Sequence, residues 1–204
     1  FRVEKASHIP LTFGGRVTFM IYNVLAATLA TYVYGFTIED IKLNLATFIP
    51  SAAQTPGRMN IFEFKEYKVL IDFAHNADGF KGIKEFLTTV ESPYKIGIIT
   101  GTGDRRDDDI RDMGRISAEM FDHIIIRQDK FLRGRQADDI VKLLVEGIQE
   151  ANHKQSYEYI PKEVEALEHA LSLAKPGTFI TALSDVIDNA IDLVQSYLDK
   201  ERGV

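Results

Sequence analysis

The chain has 204 residues, 45% of them hydrophobic and 26% charged, which is the balance of an ordinary soluble globular protein. That excludes a disordered tail, a collagen-like repeat and a coiled coil, and the absence of cysteine excludes disulfides, thiolate metal sites and cysteine nucleophiles. Asp plus Glu outnumber Lys plus Arg by 30 to 24, and a net charge of −6 argues against a nucleic-acid partner.

The first residues, Phe-Arg-Val-Glu, carry neither an initiator Met nor a basic-then-apolar leader. They read as the interior of a longer protein, with the cytoplasm as the expected location. From Val17 to Ile38 no residue is charged, long enough on length alone to cross a bilayer. The stretch also holds Asn23 and several Thr and Tyr, with no flanking basic cluster, so it reads as a buried core helix and no membrane is expected.

Residues 19–34 form that helix, with Ala26, Ala27 and Ala30 allowing close backbone approach and Gly35 stopping it. Thr37 with Asp40 three residues on is a capping box for a second helix over 38–47. Pro50 to Pro56 has linker composition. One short neighbour leaves so apolar a first helix uncovered, and the first fifty residues therefore look like the remnant of a larger domain.

After the linker the pattern changes. Ile61–Phe64 and Lys68–Phe73 read as strands of a hairpin turning at Lys65-Glu66-Tyr67. Strands follow at 95–100, 123–127, 157–160 and 178–183, alternating with helices at 80–90, 110–120, 137–151, 162–173 and 186–198. The strands are near-continuous apolar runs, as in sheets covered on both faces. The fold class is α/β, a doubly wound, mostly parallel sheet with an N-terminal hairpin strand.

Ligands of such sheets bind beyond the carboxyl ends of the strands. There the sequence places His75 and Asn76, then Gly101-Thr-Gly-Asp-Arg-Arg-Asp107, then Gln128 to Arg135, then Ser184 and Asp185. Two glycines and paired arginines at one cleft suit a phosphate or carboxylate ligand. Each piece has a plainer reading. Asn76 and Asp78 serve as helix caps, and the acids and arginines of 104–115 serve as a solvated helix start, with Asp107 pairing Arg111 at i, i+4. No GxxxxGK[ST], third-glycine dinucleotide fingerprint, HExxH or GxSxG occurs, and the five histidines lack metal-type spacing. These absences argue against a self-contained hydrolase, dehydrogenase or metalloenzyme.

Three strings carry a family resemblance. Tyr22-Asn-Val-Leu-Ala-Ala27 resembles the Asn-x-x-Ala-Ala helix of the Mur ligase superfamily, Pro56-Gly-Arg-Met59 its Gly-Arg linker, and Asp72-Phe-Ala-His-Asn76 its Asp-Tyr-Ala-His-Asn-Pro motif. Phe73 stands in place of the usual Tyr, and Ala77 in place of the usual Pro. Gln54-Thr-Pro-Gly-Arg-Met-Asn60, the 101–107 string and Leu132-Arg-Gly-Arg135 resemble, more narrowly, the C-terminal region of the cyanophycin synthetase family, with Thr102 where a Pro is common.

The resemblance implies residues 1–52 as the end of a central ATP-binding domain and 53–204 as a Rossmann-like C-terminal domain. It implies an ATP- and Mg²⁺-dependent amide ligase acting through an acyl phosphate, most like one adding arginine to the β-carboxylates of poly-aspartate. It also implies a homo-oligomeric full-length enzyme, with Mg²⁺ held mainly by parts outside this chain, and a fragment inactive alone. Arg58 and Asp72 become the expected catalytic residues, and Asn23, Arg58, Asp72, His75 and Asn76 the nucleotide-binding ones. Arg105, Arg106, Arg133 and Arg135 become the expected holders of an acidic polymer end, with Asp104 or Asp129 for the arginine. Two alternatives stay open: a peptidoglycan or folylpolyglutamate ligase domain, and a non-catalytic docking or nucleotide-sensing module.

Overall fold

The computed structural model describes residues 2–203, which divide into two compact units, Phe1–Gln54 and Thr55–Val204. In the first unit, 3₁₀ turns at Ala6–His8 and Pro10–Thr12 precede helices α1 (Thr18–Tyr34) and α2 (Ile38–Thr47). Gly35, in the left-handed conformation at φ 108°, ends α1 by donating its N–H to the Thr31 and Tyr32 carbonyls. Thr37 caps α2 by accepting the Asp40 N–H, as the spacing requires. The expectation of a buried core helix fails within this unit. Along α1 only Met20 and Val24 are buried, whereas Tyr22, Leu29 and Val33 are 66%, 62% and 76% exposed. A helix apolar on all sides finds cover here on one side. No helix among the described residues is long and apolar enough to cross a membrane.

The second unit holds β1 (Asn60–Glu63), β2 (Lys68–Asp72), α3 (Ala77–Thr88), β3 (Lys95–Ile99), α4 (Asp107–Met120), β4 (His123–Ile126), α5 (Ala137–Ala151), β5 (Ser156–Tyr159), α6 (Glu163–Leu173), β6 (Phe179–Leu183) and α7 (Ile187–Arg202). The strands form one sheet in the order β1-β2-β6-β3-β4-β5, antiparallel at β1–β2 and parallel elsewhere. The connections β2-α3-β3, β3-α4-β4 and β4-α5-β5 run one way across the sheet, and β5-α6-β6 runs back. Right-handed crossovers then put α3, α4 and α5 on one face and α6 on the other. The sheet is doubly wound, as the alternation predicts.

Central strands β2, β3, β4 and β6 are buried almost throughout, which is why they read as unbroken apolar runs. β5 differs: it is an edge strand whose residues are mostly exposed. A polar clasp fixes it. Glu158 Oε1 accepts from His123 Nε2 at 2.7 Å and His169 Nε2 at 2.9 Å, and the Ser156 hydroxyl is hydrogen-bonded to His123 Nδ1 at 2.8 Å. Helices α4 and α5 approach closely because Gly114 and Gly147 lack a Cβ. One built on Gly147 would lie 1.9 Å from the Arg111 carbonyl oxygen.

Candidate functional site

Asp72 ends β2 and organises the first part of the site. It is 4% exposed, and its carboxylate accepts the backbone N–H of Met59 at 2.9 Å and of Ala74 at 2.8 Å. Burial pushes its carboxyl above the usual range, outweighing the pull of these two amides and of nearby Arg58 and His75. The loop that brings Arg58 here is knitted by Asn60, whose side chain accepts the Gly57 N–H (2.6 Å) and donates to the Thr55 carbonyl (3.0 Å). Met59 sits at φ 53°, a left-handed conformation costly for a side-chain-bearing residue and paired here with the Asp72 contact.

Arg58 itself is exposed, its guanidinium 5.2 Å from the Phe73 ring centroid. His75 Nδ1 lies 3.0 Å from the Phe73 carbonyl oxygen. Arg58, Asp72 and His75 thus share one edge. Asn76 joins them in the chain, but its Oδ1 accepts the Gly79 N–H at 2.8 Å and caps α3, so the helix begins three residues before the predicted 80. Asn23 belongs to the first unit, where it is exposed and lines an apolar cavity of about 490 Å³ with Val24, Ala27, Ile41 and Phe48.

The loops after β3 and β4 form the second part. Arg135 ties them together: its Nε donates to the Gly103 carbonyl at 3.0 Å, Nη2 to the Arg105 carbonyl at 2.8 Å and Nη1 to Asp107 at 2.7 Å. A Cβ on Gly103 would lie 1.9 Å from the Leu132 carbonyl oxygen, so only glycine lets the loops close. Arg133 pairs with Asp104 and holds its carboxyl below the ordinary range. Arg106 makes a fork on Asp109. Asp107 therefore pairs across the loops with Arg135, not along the helix with Arg111, which binds Asp108 and Glu146. Arg105 makes no ion pair among the described residues, and its Nε is buried without a hydrogen-bond partner.

A third cluster lies at the ends of β4 and β6; the sequence placed Asp129, Ser184 and Asp185 at this edge but gave a role to Asp129 alone. Arg127, 2% exposed, donates Nη2 to the Leu183 carbonyl and to Asp185 (2.5 Å), and its Nε lies 3.8 Å from Glu163. Ser184 donates its hydroxyl to Glu163. Asp129 is 3% exposed, and one of its oxygens accepts the Phe131 N–H at 2.8 Å. Burial and the Asp185 carboxylate beside it push Asp129 up. Burial also works against charge on Asp185, but the Arg127 guanidinium overcomes it and holds Asp185 low. Burial raises Glu163 as well, against the pull of Arg127. Three carboxylates thus surround one guanidinium beside a cleft of about 320 Å³. The available signal was Arg127 itself, a charge closing an otherwise apolar strand.

Residues 57–185 match the family model described as Mur ligase, glutamate ligase domain. The chain belongs to the Mur ligase family. Cyanophycin synthetases of Crocosphaera subtropica and Nostoc sp. are each 40% identical over 95% of this chain, which covers 22% of their length. The UDP-N-acetylmuramoyl-L-alanyl-D-glutamate–2,6-diaminopimelate ligase of Caldanaerobacter subterraneus is 30% identical over 87% of this chain and 35% of its own. Among solved structures, Escherichia coli FolC in complex with ADP shares the fold at TM-score 0.64 and 18% identity, over 89% of this chain and 40% of FolC. The chain therefore spans about a fifth of the cyanophycin synthetases that it matches.

Proposed function

We propose that this chain is the C-terminal part of an ATP-dependent amide ligase of the cyanophycin synthetase kind, adding arginine to aspartate side chains through an acyl phosphate. The observation that carries the reading is the Asp72-centred edge, which holds Arg58 and His75 together inside the region matching the family. Residues 1–52 then close a central ATP-binding domain, and the bare apolar flank of α1 is where the rest of that domain packs.

Arg58 fits a nucleotide's phosphates: it is exposed, planar and held over a ring. Its charge would stabilise phosphoryl transfer, a reaction governed by positioning and electrostatics. Asp72 fits no Mg²⁺, because it is buried and two backbone amides engage its carboxylate. It works through the loop it holds. Among the described residues no group of three His, Asp or Glu side chains could hold a metal ion. Mg²⁺, which neutralises phosphate charge in such reactions, would take its ligands from elsewhere in the enzyme.

The cleft beside Arg127 carries Asp129 and Glu163 as the acids a cationic substrate would meet, set among Arg127, Lys130 and Lys162. Arg105, with its unpaired Nε, is the loop arginine best placed to meet an acidic polymer. Arg106, Arg133 and Arg135 would first have to leave their present carboxylate partners.

The test is a longer ligase carrying this sequence, assayed for MgATP-dependent incorporation of labelled arginine, glutamate, lysine and diaminopimelate into their acceptors. Arginine incorporation on poly-aspartate is the expected result. Diaminopimelate or glutamate transfer would replace it with a peptidoglycan or folate reading, and no ATP consumption with any substrate would leave a docking module.

A further inference from the structure

The Phe73 ring lies beside both the Arg58 and the His75 side chains of the Asp72 edge. The Arg58 guanidinium carbon is 5.2 Å from its ring centroid. The His75 imidazole is 5.0 Å away, centroid to centroid, tilted by 59°. The backbone of Phe73 is tied at both ends: its N–H donates to the Gly57 carbonyl at 2.9 Å, and its own carbonyl faces His75 Nδ1 at 3.0 Å. A carbonyl oxygen accepts and never donates, so Nδ1 carries the proton and, in the neutral ring, the lone pair sits on Nε2.

The exposed Arg58 needs such a platform. Asp72 attracts it, yet among the described residues the two form no ion pair, and the hydrogen bonds of the carboxylate go to two backbone amides, so it fixes the loop rather than the guanidinium. An arginine side chain carries substantial rotamer freedom, and a ring face under the guanidinium restricts it without consuming its N–H donors. A carboxylate partner would consume them, as happens at Arg106 and Arg133.

We propose that Phe73 is the positioning residue of this site: its ring holds Arg58 with all donors free for an anion, and its carbonyl sets His75 as an Nδ1–H tautomer with Nε2 as acceptor. That the anion is a nucleotide's phosphate rests on the ligase reading. The placement itself does not.

The experiment separates the two. In the 204-residue chain labelled with ¹⁵N and ¹³C, the Arg58 side-chain protons should be shifted upfield by the ring. In its neutral form, His75 should show a protonated Nδ1 and a bare Nε2. Phe73→Leu should abolish the Arg58 shift, and Phe73→Tyr should keep it. In the longer ligase, Phe73→Leu should lower kcat/KM for ATP about tenfold, as a displaced charge does, while Phe73→Tyr stays near the parent. Thermal melts of each variant report folding, and Phe73→Met replaces Phe73→Leu should that variant not fold. An unchanged Arg58 shift without the ring, a His75 protonated on Nε2, or equal losses for Tyr and Leu would each overturn the proposal. If the spectra behave as stated while neither Phe73→Leu nor Arg58→Ala alters ligation, the placement stands and the nucleotide reading fails.

Discussion

Arg58 and Arg127 both stand beside strand ends at the same edge of the sheet, yet their surroundings give them opposite uses. Arg58 is exposed, lies on an aromatic face and has donors to spare. Arg127 is buried, bound to Asp185 and a main-chain carbonyl, and faced by Glu163. The difference teaches how to sort arginines near a site. One with buried acids around it is part of the wall, and one on a platform is available to a ligand.

The largest expected effect breaks the wall. Arg127→Met leaves the part-buried acids Asp185 and Glu163 without their cation and should cost about 3 kcal/mol of stability, read by urea unfolding. A loss under about 1 kcal/mol would mean that water reaches these carboxylates and that the cluster is not a wall.

Arg58→Ala should do the reverse, leaving stability within about 0.5 kcal/mol while lowering turnover of the longer ligase by about 10²-fold. Near-normal turnover would remove Arg58 from the site and collapse the contrast with Arg127.

Between these lies Gly103→Ala, which sets a methyl group against the Leu132 carbonyl. It should cost about 1–3 kcal/mol and free Arg135 and Arg133 by separating their loops. A melting temperature equal to that of the parent would show that the loops are not locked.

The smallest effect is a pH slope. Asp129 and Glu163 titrate above their ordinary values when folded, so the folded chain binds protons more tightly than the unfolded one there. Their burden on stability is present above the folded pKa, eases as pH falls through it and is gone below the unfolded value. Glu163→Gln removes one such group and should raise stability near pH 7 relative to pH 5, read from melts at both. An unchanged difference between the two pH values would show that Glu163 is solvated.

The alternation of buried strands and amphipathic helices was legible because each central strand is covered on both faces, so its composition reports its place. The Thr37 and Gly35 caps were legible for a different reason, each being a local hydrogen-bond requirement. At the site, the Asp72–His75 string and Arg58 were legible as motifs. Their meeting was not, since it depends on Asn60 and Met59 folding the linker back onto β2. The loop arginines read alike in the sequence. Composition counts charges, whereas only the fold says that Arg106, Arg133 and Arg135 already have carboxylates and Arg105 has none.

By itself the sequence determined the order of elements, the sheet class and the family, because these follow from short-range periodicity and contiguous motifs. Only the tertiary structure decided that Glu163, 36 positions from Arg127, and Asp185, 58 positions from it, surround one buried guanidinium. Crossovers bring distant strand ends together, and burial then sets which charge is spent and which is free; neither is written in any local stretch of residues.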